Sequence, residues 1–63
     1  MLYRLLMIYT DTSRDEMVAD LPTVMRALAG AGERLVYADV TNEQTDEVLA
    51  RWAYYPGYGL TVV

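Results

Sequence analysis

Asp11, Asp15 and Asp39 are the residues whose type and placement come nearest to a chemical site. Ligands of open α/β sheets collect beyond the carboxyl ends of parallel strands, and Asp11 and Asp39 fall near the expected ends of two strands. With Asp15 as a third oxygen source they would suit magnesium. The plainer reading makes Asp11 a turn residue and Asp39 a solvated strand end, and on that reading no metal is expected. Other chemistry lacks its usual agents. The chain has no histidine, cysteine or lysine, the groups that most often serve as bases and activated nucleophiles. Ser13 stands beside no base in a recognised arrangement and reads as a helix cap. The sequence therefore predicts a protein that is not an enzyme, with no catalytic residue, cofactor or metal.

The elements that would position these groups read as βαβαβ. Residues 2–9, "LYRLLMIY", are almost continuously apolar, as for a central strand covered on both faces; Arg4 snorkels out near its beginning. Ser13 followed by Glu16 matches a capping box. Pro22 then leaves two readings. Either a kinked helix runs from about residue 14, or a short turn precedes a helix starting near Asp20; the shared face of positions 17, 21, 24 and 28 favours the first. Glycines 30 and 32 stop that helix. Residues 34–40 suit a second strand, parallel to the first across the helical crossover. Thr41 to Gln44 is another capping box, opening a second helix with Val48, Leu49 and Trp52 on its buried face. A loop rich in tyrosine, proline and glycine leads to a last short strand, "LTVV". The expected fold class is α/β, one small domain over residues 1–63, with a three-stranded mixed sheet packed against two helices. Trp52 and Leu28 are its expected core anchors.

Size and charge narrow the function classes. A chain of 63 residues buries only about 60% of the surface its unfolded form exposes, and without cysteine or histidine it has neither disulfide nor zinc staples. Apolar runs fall short of the roughly 20 residues that span a bilayer. The N-terminal run is interrupted by Arg4, and no small-residue cleavage site follows it, so a cytoplasmic protein without a membrane association is expected. Nine acids against five arginines give a net charge of -4, which disfavours direct nucleic-acid binding and points to basic protein surfaces as partners.

Several markers resemble a glutaredoxin-like redoxin of the thioredoxin fold. Tyr9-Thr10 at the end of the first strand, Ala27-Leu28 with Ala31-Gly32 at the end of the first helix, "ADV" closing the second strand, the acid-rich second helix and the aromatic-proline step are all similar to that family. The departure lies in the thiols. The CxxC positions would fall on Val18 and Leu21, and without a thiolate and a leaving sulfur no thiol exchange survives. Pro56 stands either for the family's cis-proline or for an ordinary turn proline. The resemblance implies, as an alternative function, a degenerate redoxin domain without thiol activity.

The leading expectation is a non-enzymatic acidic interaction protein docking on a basic groove of a larger protein. Asp15 and Glu16 at the start of the first helix, with Glu43, Asp46 and Glu47 at the start of the second, would project at one sheet edge as an anionic rim. Their plainer role is to complement the helix dipoles. Tyr54, Tyr55 and Tyr58 around the proline-glycine loop supply area at low rotamer cost, for binding or simply for packing. In size, acidity and lack of catalytic groups the chain also looks like small phage-encoded anti-CRISPR inhibitors that imitate DNA, which would place it in a host cytoplasm. The "LTVV" strand is expected to leave an edge where the related fold adds another strand, and a homodimer through residues 60–63 would cover it.

Overall fold

The structure, a computed structural model, describes residues 1–63. Five strands and one helix follow in the order β1 (Tyr3–Tyr9), β2 (Arg14–Ala19), α1 (Leu21–Ala29), β3 (Leu35–Asn42), β4 (Val48–Tyr55) and β5 (Gly59–Val62). The strands form one sheet in the order β2-β1-β3-β4-β5, and every neighbouring pair is antiparallel. The fold is ββαβββ. It corrects the expected α/β, thioredoxin-like βαβαβ arrangement with its three-stranded mixed sheet and two helices.

Three local reasons account for the difference. In Arg14–Ala19, the apparent capping box belongs to a strand: Asp15, Met17 and Ala19 pair with Met7, Leu5 and Tyr3, while Arg14, Glu16 and Val18 pair with Ile8, Leu6 and Arg4. That period of two outweighs the helical spacing. The helix starts seven residues beyond Arg14. Asp20 is its N-cap, accepting from the Thr23 N–H at 3.1 Å, and Pro22 lies in the first turn, where its missing N–H costs no internal bond. This is the later start, but the segment before it is a strand rather than a turn, and Ser13 caps nothing. The second helix is absent because the side chain of Asn42, not that of Thr41, takes the local bonds. Its carboxamide oxygen accepts from the N–H groups of Gln44 and Thr45, closing a loop over residues 43–47 that turns β3 into β4. Beyond it, Trp, Tyr and Val fit a pleated surface better than a helix.

Pairing directly across the ladders puts Leu5, Met7, Ala38 and Val40 on the side of the sheet that α1 covers. With Leu35 and Val24 of the helix they are the buried core. Leu28 and Trp52 pack against this cluster but are only half-buried, so the expected anchors lie at its periphery. The opposite side of the sheet has no helix. Leu6 and Ile8, which made β1 read as covered on both faces, remain partly exposed there.

A core this small concentrates stability in few side chains. Leu5 is 0% exposed, and Leu5→Ala should cost about 2–5 kcal/mol, read as a lower urea midpoint with an unchanged slope. A midpoint lowered no further than by Val18→Ala, at an edge position 48% exposed, would contradict this assignment of the core.

Candidate interaction surface

The acids and tyrosines singled out in the sequence fall in three separate places. Asp15 and Glu16 lie on edge strand β2 and point to opposite faces. The Asp15 carboxylate accepts from the Tyr9 hydroxyl at 3.2 Å, and Glu16 pairs with Arg14 at 3.4 Å. Glu43, Asp46 and Glu47 lie in the β3–β4 loop, at the end of the sheet where β1 begins. There Arg4 reaches across the helix-free face to Glu43 at 2.6 Å and Asp46 at 3.8 Å, so its charged head ends among the loop acids beside the beginning of β1. Glu43 Oε2 is shielded from solvent with no aligned hydrogen bond; its close ion contact with Arg4 is what offsets that burial. Tyr54, Tyr55 and Tyr58 lie at the other end of β4, around the turn into β5. No common rim joins the two acid groups, because the second helix that would have aligned them is not formed.

The three aspartates of the sequence-level metal reading are also apart. Asp11 lies in the β1–β2 turn, Asp15 on the helix-covered side of β2, and Asp39 on β3, where it accepts from the Tyr37 hydroxyl at 2.8 Å. That hydrogen bond, helped by burial and the carboxylate's charge, raises the Tyr37 pKa. Burial first, then Asp15, raises that of Tyr9. No group of three acidic residues is placed to share a metal ion.

What the structure does bring together is the hairpin β4–β5. Of the thirteen large apolar side chains left exposed, eight lie within residues 48–63. The reason is geometric: α1 packs on β1 and β2, which leaves the far strands uncovered. Trp52 pairs with Val62 and Tyr54 with Leu60, forming apolar rows on the helix-covered side but beyond the helix's reach. Tyr54 is 52% and Val62 66% exposed. The hairpin turns at Tyr55-Pro56-Gly57-Tyr58, closed by a bond from the Tyr58 N–H to the Tyr55 carbonyl at 3.0 Å. Gly57 takes φ +86°, as the third position of a type II turn demands; Pro56, after a trans peptide bond, is a turn proline. The turn holds Tyr58 86% exposed. Apart from Arg51, residues 48–63 contain no side chain charged at neutral pH.

The sequence carries one signal for this hairpin. "YYPGYG" sits between an aromatic, β-branched run and "LTVV", and a proline-glycine turn flanked by two such runs marks a hairpin. The chain has no helix long and apolar enough to cross a membrane. Compared with protein-family models, curated proteins and solved structures, it matches none.

The β1–β2 turn gives a pH-dependent test of that geometry. The Ser13 hydroxyl and N–H donate to Asp11 at 2.6 and 3.1 Å, and Arg34 lies 2.7 Å from the same carboxylate. These contacts, the Ser13 bonds foremost, hold the Asp11 pKa at about 2, against 3.8 when unperturbed. A carboxylate whose folded pKa is depressed stabilises the fold fully above its unfolded pKa and loses that contribution as pH falls toward the folded one. Stability should therefore decline between about pH 4 and pH 2, and Asp11→Asn should make the decline shallower in urea titrations across that window. Asp20, lowered in the same direction by Thr23, leaves a residual slope. Equal slopes for the two proteins would contradict the turn as described.

Proposed function

We propose that the protein is a non-enzymatic binding domain that docks on a larger protein through the β4–β5 hairpin. The observation that carries this reading is the concentration of exposed apolar and tyrosine side chains on that one hairpin. Soluble domains rarely leave such patches exposed without a partner. Aromatic residues at the centre of a patch also supply most of the energy where interfaces form.

Charge gives the reading a direction. The loop acids Glu43, Asp46 and Glu47 adjoin Val48 and Leu49 at one end of β4, and the tyrosines stand at the other. The footprint is thus apolar with an acidic end, suited to an apolar patch beside arginines or lysines. Arg4 partly neutralises that end, and Asp11 and Glu16 are matched to Arg34 and Arg14. This pairing favours local steering of an encounter over the continuous anionic row that a DNA-mimicking phage inhibitor would present. Asp15 and Glu16 lie about 14 Å away, three strands across the sheet at about 4.8 Å each, and stand outside the footprint.

Site-specific photocrosslinking tests the reading. A photoreactive phenylalanine analogue replacing Tyr58 should capture one protein partner in the source cell, and the same group replacing Glu16 should not. Binding of that partner should weaken with salt. Asp46→Lys with Glu47→Lys, which spares the Arg4–Glu43 pair, should slow association, and Tyr58→Ala should mainly hasten dissociation. Capture of the same partner from both positions, or binding untouched by all three substitutions, would contradict the proposal.

A further inference from the structure

The geometry points to a second copy of this chain as the occupant of the β5 edge, joined strand to strand with the two β5 strands antiparallel about a twofold axis at Thr61. This goes beyond the binding reading above, because it uses the backbone of β5 and needs neither the loop acids nor Tyr55 and Tyr58.

The register of β5 fixes which groups are free. The Val63 N–H donates to the Arg51 carbonyl at 2.9 Å, and Thr61 stands opposite Ala53. In an antiparallel ladder, bonded and non-bonded pairs alternate, so Gly59 and Thr61 turn their polar groups inward to β4. Leu60 and Val62 turn theirs outward. With β5 last in the sheet order, those N–H and C=O groups meet no strand of this chain.

Charge then distinguishes the two sheet edges. The β2 edge carries Arg14, Asp15 and Glu16 in succession, the kind of charged edge that discourages pairing with another strand. The β5 edge, "GLTV", carries no charge. Each copy has a net charge of -4, and the uncharged edge is the one along which two copies approach without placing carboxylates against each other. The strand is also self-complementary. Pairing Leu60 with Val62 of the second copy, and Val62 with its Leu60, uses both outward residues of each strand. Each such pair exchanges two hydrogen bonds. Thr61 then faces Thr61 across the axis, a favourable cross-strand pair. On the helix-covered side the existing pairs Trp52–Val62 and Tyr54–Leu60 would continue into Leu60 and Val62 of the second copy. The apolar rows that α1 leaves uncovered would thereby run unbroken through the axis. Because β5 has only four residues, the association is expected to be reversible and concentration-dependent.

Sedimentation velocity of the full chain over a wide concentration range tests this. The wild type should pass from monomer to dimer. A synthetic chain with the Val62 amide N-methylated, which removes one outward donor and leaves the bonds to β4 intact, should remain monomeric with an unchanged far-ultraviolet circular dichroism spectrum. Thr61→Lys, which sets like charges face to face across the axis, should do the same. A wild type that is monomeric at every concentration overturns the proposal, as does a dimer that survives both changes. A monomeric chain whose Leu60 and Val62 amides become protected only when an extended peptide of foreign sequence is added would assign the edge to that strand instead.

Discussion

One nine-residue helix must cover a five-stranded sheet. At 1.5 Å per residue the helix is only about 13–14 Å long, while the outer strands stand about 19 Å apart at the usual spacing. It packs on β1 and β2, and the core forms there and along the neighbouring β3: Leu5, Met7, Val24, Leu35, Ala38 and Val40. Beyond that footprint the sheet continues through β4 and β5 with apolar side chains and nothing above them. The molecule is elongated, 35 Å in its longest dimension and 19 Å in the others.

That mismatch links stability to function. Apolar area is worth about 25 cal/mol per Å² removed from water, so a hairpin that keeps tyrosine, leucine and valine exposed forgoes stabilisation within the chain and leaves it available to the partner proposed above. The two ends of the sheet differ in character. At the β2 edge, charge and the Arg14–Glu16 pair make further pairing unfavourable; at the β5 edge, neutral residues and free backbone groups leave it open. Both proposals use the same uncovered strands, one through side chains and the turn, the other through the backbone.

Much of the strand pattern was legible in the sequence. The runs at 2–9, 34–40 and 60–63 each fall on a strand, because continuous or alternating apolar residues with β-branched side chains have few other solutions. Two segments depart from the expected helices for one shared reason: Ser13–Glu16 and Thr41–Gln44 both match a capping box. Such a box is a local signal that acts only if the residues after it prefer a helix, and in both segments a cross-strand partner was available. For Arg14–Ala19 that partner is β1, reached through a tight turn held by Asp11; for Val48–Tyr55 it is β3 on one side and β5 on the other. Asp20 with Pro22 is the stronger start signal, but the apolar face around it spans a strand and a helix alike. Composition alone singles out the tyrosines, yet their place at the end of an uncovered hairpin depends on the pairing of β4 with β5. The acids share a rim only on a helix that does not form, so on the observed strands and loop they stand apart.

Residues 48–63 form an antiparallel hairpin at the uncovered side of the sheet, and proton NMR reads that pairing without intermediaries. In the register described, Trp52 faces Val62 and Tyr54 faces Leu60 in non-bonded pairs, whose α-carbons approach to about 4.5 Å. Strong nuclear Overhauser effects between the α-protons of Trp52 and Val62, and between those of Tyr54 and Leu60, are the predicted result. Continuous amide-to-amide effects from Thr41 through Trp52, the signature of a helix there, would contradict the account.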